Sequence, residues 1–231
     1  MKITGIQTGY LGTNTWIVPV ADSCGGAFFV TDPGGDSRDA AYITKVLEKL
    51  APAPHVAAFI MTHGHFDHVG ALPFLHETFP DAAVAIHGND AAYLGTAAGQ
   101  LHIEDFTALR LADYVEETLD GHPLPEATEL LTEGGVLPFA PEWKVIHTPG
   151  HSPGSVCLYC EDAAPLLDES EVSRGIKHIL LSGDTLFDGA FGRTDLRGGS
   201  DAEMRHSLDR LSTVIPQGTL VLPGHGGSFQ L

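Results

Sequence analysis

Lysine and arginine are scarce in this sequence. Twelve basic residues stand against 30 Asp and Glu, a net charge of −18. So acidic a surface repels phosphate backbones, which excludes nucleic acid as the main partner. It leaves a small substrate open, because one local cation can dominate a pocket, and bound divalent metal would offset several carboxylates. Cysteine is scarcer still, with only Cys24, Cys157 and Cys160. An odd count at these spacings gives no disulfide framework. Cys157 and Cys160 form a C-x-x-C, but inside SVCLYC, which reads as a strand. Residues i and i+3 of a strand face opposite ways, so the pair neither chelates nor bridges and reads as small buried residues. Apolar runs of about 18 residues are absent, so no membrane-spanning helix is expected. The N-terminus, MKITGIQTGYLGTNTW, lacks the apolar core of a signal peptide, and a cytoplasmic location is expected. No Ser- or Gly-rich linker and no repeat divides the chain, which reads as one domain over 1–231.

What is present is an alternation of strands and helices. NTWIVPV (14–20) and GAFFVT (26–31) read as strands, followed by the turn DPGGD. In 38–50, Ile43, Val46, Leu47 and Leu50 fall at i, i+3, i+4 and i+7, which predicts a helix with one apolar face. Pro52 and Pro54 end it. HVAAFIMT (55–62) is a short buried strand, 69–79 the next helix and AAVAIHG (82–88) the next strand. This order predicts an α/β fold, in which ligands bind beyond the carboxyl ends of strands. Residues 89–141 read as a helical excursion, a candidate lid. WKVIHT (143–148), VCLYC and HILLSGDT (178–185) resume the strand pattern, and 161–177 reads as an acidic loop. A helix at 201–215 carries Met204, Leu208, Leu211 and Ile215 on one face, and TLVLPGHG (219–226) is the last strand.

Histidine is plentiful, at 13 residues, and it is clustered. THGHFDHVG (62–70) carries His63, His65, Asp67 and His68 directly after an apolar strand. Three later strand ends bring His151 in HTPGHSPGS, Asp184 in LSGDTLF and His225 in LPGHG. Each lies beside Gly or Pro, which lets the backbone turn sharply and hold side chains over the sheet. A structural zinc site takes four ligands and is commonly rich in Cys. Five His and two Asp without Cys suit two metals better, with a carboxylate between them; Zn, Fe and Mn all accept such ligands. Two cations about 3.5–4 Å apart lower the pKa of a shared water and neutralise a developing oxyanion.

In these four motifs the chain resembles the metallo-β-lactamase superfamily. THGHFDHVG matches its H-x-H-x-D-H motif, and the other three follow in the expected order from the TDPGGD turn (31–36) to His225. The resemblance implies an αβ/βα four-layer sandwich, two mixed sheets packed face to face with helices outside. It implies that His63, His65 and His151 hold one metal, that Asp67, His68 and His225 hold the other, and that Asp184 bridges them. Many true metallo-β-lactamases have Cys or Ser where Asp184 stands, which argues against lactam hydrolysis. Flavin-linked di-iron members have Glu in place of His65, and the nuclease branch carries a large extra domain. DTLFDGAFGRTDL (184–196) is most similar to the glyoxalase II group, which hydrolyses glutathione thioesters. That likeness makes Arg193 the expected substrate-binding cation, although Asp195 stands ready to pair with it. Full-length glyoxalase II continues into a helical domain that contributes to glutathione binding, whereas this sequence ends six residues after His225.

The expected function is a dinuclear metal-dependent hydrolase of small thioesters, with zinc the first choice of metal. A metal-bridging hydroxide would attack the carbonyl, Asp67 would orient it, and a thiolate would leave without a dedicated acid. Asp32, in TDPGG, suits either of two roles, orienting a ligand histidine or forming a turn before Pro33. His147 reads as support for the HTPGHSPGS loop. Three other readings share the motifs: a lactonase or phosphodiesterase, a persulfide dioxygenase with one iron, and a metal-binding protein without turnover.

Overall fold

Each apolar run takes its place in one of two six-stranded sheets of a computed structural model, which describes residues 1–20 and 26–231. In the first sheet β1 (Thr4–Thr8), β2 (Thr13–Pro19), β3 (Ala27–Thr31), β4 (His55–Ile60), β5 (Ala83–His87) and β6 (Glu129–Leu131) lie side by side in chain order. The first three run antiparallel, and β3 to β6 run parallel. The second sheet holds β7 (Val136–Leu137), β8 (Ala140–His147), β9 (Val156–Cys160), β10 (Ile179–Gly183), β11 (Leu220–Pro223) and β12 (Phe229–Gln230), again as sequential neighbours. Its one parallel pair is β10 with β11. The helices are α1 (Ser37–Leu50), α2 (Phe66–Val69), α3 (Leu72–Thr78), α4 (Ala98–Thr107), α5 (Ala112–Leu119), α6 (Glu169–Ser173) and α7 (Asp201–Val214).

The central strands are buried on both faces, which is why they read as continuous apolar runs rather than alternating ones. In β3, Phe28 faces the helices and Phe29 faces the other sheet, where it meets Trp143 edge-on at 5.5 Å. The layer between the sheets joins Val18, Phe29 and Ile60 to Trp143, Leu158 and Leu181. Outside the first sheet, Ile43 and Leu47 of α1 and Leu72 and Leu75 of α3 pack on Phe28, Val30 and Phe59. Outside the second, Leu211 and Ile215 cover Cys157, Leu180 and Val221. The result is helix, sheet, sheet, helix: the four-layer αβ/βα sandwich. Cys157 and Cys160 sit in different layers, as strand alternation requires. Cys24 lies outside the described residues.

Several elements differ from the sequence-based expectation. The helix expected at 69–79 is two pieces, α2 and α3, separated at Gly70–Ala71, and α2 begins inside the histidine motif. Helix occupies 89–141 only as far as Leu119, after a 3-10 turn at Gly88–Tyr93. Its remainder includes β6 and β7, strands of three and two residues held by pairing with β5 and β8. Segments so short carry no readable period. Similarly α6 lies within 161–177, stabilised by a capping box between Asp168 and Glu171.

Candidate metal centre

Four strands end on one rim of the sandwich, and each delivers part of the histidine–aspartate set. Beyond β4 the chain places His63 and His65 in the loop, then Asp67 and His68 on the first turn of α2. The loop from β8 to β9 carries His151, Asp184 follows β10, and His225 follows β11. All seven residues converge. His151 Nε2 lies 3.2 Å from His63 Nε2 and 2.8 Å from His65 Nδ1. On the other side His68 Nε2 and His225 Nε2 are 3.2 Å apart, and Asp67 Oδ2 is 3.6 Å and 3.2 Å from them. Asp184 stands between, with Oδ1 3.4 Å from His68 Nε2 and Oδ2 3.6 Å and 3.5 Å from His151 and His225. The ligand atoms of His63, His65 and His151 lie within 4.8 Å of one another, as do those of Asp67, His68 and His225, and those of His63, His68 and Asp184.

These residues fit metal ions on two counts. Nitrogens bound tetrahedrally at 2.0–2.1 Å would stand about 3.3 Å apart, close to the spacing seen. In addition Asp184 Oδ1 is buried and accepts no hydrogen bond. A buried carboxylate oxygen without a donor is costly, and a cation removes that cost.

The imidazoles are aimed by their far nitrogens. His151 Nδ1–H donates to the Arg193 carbonyl at 2.7 Å, which leaves the Nε2 lone pair facing the centre. Thr62 donates its hydroxyl hydrogen to Asp32 Oδ2 at 2.8 Å, so its oxygen is free to accept from His63 Nδ1 at 3.2 Å. Asp32 is 1% exposed, accepts the Thr62 amide at 2.7 Å and lies 3.2 Å from His68 Nδ1. Of its two sequence-level roles, the one beneath the ligand histidines is what its surroundings favour, although Asp32 also turns the chain with a left-handed φ of 48°. Gly183 permits this crowding: a Cβ there would collide with the Thr62 side chain, and its φ is also positive.

Charge follows position. Burial and neighbouring imidazoles hold His63 and His65 well below the usual histidine value. Burial also opposes charge on His68, but Asp184, Asp67 and Asp32 outweigh it and raise His68 to about 10. His225 is raised the same way, against burial, by Asp67 and Asp184. Asp67 is driven below the carboxylate range despite its burial, by His68 and the His225 hydrogen bond. The carboxylates thus call for positive charge at this rim, which metal ions would supply.

One residue of the site was not foreseen. Asp90, fully buried just beyond β5, accepts from Gly64 N at 3.0 Å, Gly154 N at 2.6 Å and Ser152 Oγ at 2.6 Å. Gly64 separates His63 from His65, and Ser152 follows His151, so one carboxylate ties together the two loops that carry those three histidines. Burial pushes its carboxyl above the ordinary value against the pull of these donors. Its position at the end of a parallel strand was the available signal.

The comparisons with known proteins agree with this architecture. A family model for the metallo-beta-lactamase superfamily matches residues 9–163. The chain belongs to that superfamily. Across 98% of this chain and 90% of its own length, a probable metallo-hydrolase of Bacillus subtilis, YqgX, is 33% identical. Among solved structures, the B3 metallo-beta-lactamase BLEG-1 superposes with a TM-score of 0.71 at 29% identity, covering 99% of this chain and 93% of that one. TTHA1623, solved in a di-iron-bound form, gives 0.65 at 28% identity, with 98% and 94% covered. Membership supports a metal-dependent hydrolase with divalent metals at the histidine–aspartate cluster. No helix among the described residues is long and apolar enough to cross a membrane.

In this superfamily member a cavity of about 310 Å³ opens beside the cluster. His65, Asp67, His151, Asp184 and His225 form its floor. Phe106, Leu109 and Leu111, from α4 and the turn after it, form a wall. Arg193 reaches the cavity, but its guanidinium is bound in bidentate fashion by Asp195 at 2.7 Å and 2.8 Å. Arg197 fastens the wall from the opposite loop, donating to Asp105 at 2.6 Å and Glu104 at 3.0 Å on α4; Tyr93 also donates to Asp105, at 2.9 Å. Arg197→Met is therefore expected to raise KM about two- to fivefold with metal content unchanged, the modest effect proper to an exposed ion pair. Steady-state kinetics beside elemental analysis would check it, and an unchanged KM would remove α4 from substrate binding.

Proposed function

We propose that this chain is a dinuclear metal-dependent hydrolase of small thioesters. The observation that carries the reading is Asp184, whose two carboxylate oxygens face histidines of both outer groups. His63, His65 and His151 would hold one ion, Asp67, His68 and His225 the other, and Asp184 would join them. Metal bound there supplies an acidified water as nucleophile and positive charge for the developing oxyanion.

The chain's own residues divide the remaining work. Asp67 Oδ2 lies 3.2 Å from His225 Nε2 and the carboxylate also faces the cavity, where it would orient the attacking water. Asp105 and Phe106 of α4 and Arg193 and Leu196 of the loop at 193–196 line the cavity and would shield the reacting carbonyl on that side. The ionisable cavity residues beyond the ligand set, Asp105 and Arg193, are each held by an ion pair. Neither is poised to protonate a leaving group, and this favours a thiolate, which leaves readily, over an alkoxide. The resemblance of 184–196 to glyoxalase II points the same way.

Zinc is the first choice of metal for nitrogen and oxygen ligands, and the di-iron form of TTHA1623 makes iron the alternative. The test loads the protein separately with Zn, Mn and Fe, counts metal per chain and follows free thiol from thioester substrates. About two metals with thiol release supports the proposal. A single iron with oxygen uptake overturns it in favour of a dioxygenase.

A further inference from the structure

The cavity beside the cluster holds almost nothing that would recognise a charged substrate. Leu11, Phe106, Leu109, Leu111 and Leu196 make up its apolar lining. Arg193 is its one lining Arg or Lys among the described residues, and Asp195 already holds the Nε–Nη2 edge of its guanidinium and neutralises its charge. Exchanging one carboxylate for another there gains little. Asp105, the acidic lining residue outside the ligand set, is likewise matched by Arg197.

We propose that the substrate is an acyl thioester whose acyl and thiol portions are both uncharged and apolar, not the thioester of a charged peptide thiol. The inference rests on the thioester reading above and specifies it. Hydrolysis adds water at the acyl carbon, breaks the C–S bond, and yields a carboxylic acid and a thiol. An acyl chain would lie against Phe106, Leu109 and Leu196, and the small cavity volume sets a limit on its length. Each methylene buried there strengthens binding about three- to fourfold.

The test uses the full, metal-loaded chain and a series of uncharged thioesters, S-acetyl-, S-butanoyl- and S-hexanoyl-N-acetylcysteamine, with S-lactoylglutathione as the charged comparator. Free thiol is followed throughout. The expected result is a kcat/KM that climbs about three- to fourfold per methylene and ends at least about tenfold above the comparator. Leu196→Ala should cut the hexanoyl value about tenfold more than the acetyl value, with metal content unchanged. Asp195→Asn, which frees Arg193, should improve S-lactoylglutathione and leave the hexanoyl value alone. A flat chain-length series, or a preference for S-lactoylglutathione in the unaltered protein, overturns this inference and leaves the thioester reading standing. Hydrolysis of none of these thioesters at full metal content overturns both.

Discussion

Asp90→Ala is expected to lower Tm by about 10 °C and to weaken metal binding about 10- to 100-fold. The carboxylate is fully buried and accepts from two backbone amides and one hydroxyl. Truncation leaves those donors without partners at about 1–3 kcal/mol each. The losses overlap, because the loops relax together, and a total of about 3–5 kcal/mol is reasonable. For a chain of this size each kcal/mol lowers Tm by about 2–4 °C. The effect on metal has a separate origin. Once the Gly64 and Ser152–Gly154 loops are no longer tied, His63, His65 and His151 lose their common orientation. Melting curves with and without metal, beside competition with a chelator, separate the two effects. A Tm within 2 °C of the parent, or unaltered metal affinity in folded protein, would show that Asp90 does not position these ligands. Asp90→Asn keeps one acceptor oxygen and should fall between.

Asp184→Asn is expected to act on activity more than on stability. Hydrolysis should drop on the order of 10³-fold, the scale seen when one charge-stabilising group is removed from a reacting centre. Metal content should fall from about two ions to one or fewer. The substitution replaces an anion by a neutral amide and turns an N–H2 donor toward imidazole nitrogens and any cation between them. Asp184 Oδ1 already lacks a hydrogen-bond donor, so no hydrogen bond to that oxygen is lost and folding should tolerate the change. Elemental analysis of the purified variant and the thiol-release rate are the readouts. Two retained ions, with a rate within tenfold of the parent, would rule out Asp184 as the joining ligand.

Much of this site was legible because its chemistry is local. His63, His65, Asp67 and His68 lie in one loop and helix turn, and each later motif follows an apolar strand with a turn-forming residue beside it. Side chains at strand ends in an α/β sheet have one common rim to occupy, so the topology brought together what the motifs suggested. The supporting residues were less legible. Asp90 stands 26 positions from Gly64 and 64 from Gly154, in the short stretch GND, which looks like an ordinary turn. Arg193 was readable as a cation in a suggestive place. Its local pairing with Asp195 was equally readable, and choosing between them needed the conformation of the loop.

By itself the sequence determined the alternation of strands and helices and the kind of ligand atom gathered at the strand ends, while the layers followed from the family resemblance. Those properties depend on residue chemistry, on short continuous apolar runs and on the 3.6-residue helical period, which are written locally. Tertiary structure alone decided which nitrogen of each imidazole faces the centre, that Asp90 ties the two histidine loops together, and that the cavity wall beside the Arg193–Asp195 pair is apolar. Each of these is a matter of distance between segments far apart in the chain. His151 is oriented by a carbonyl 42 residues away and Asp32 meets Thr62 across 30, and no local pattern records such pairings.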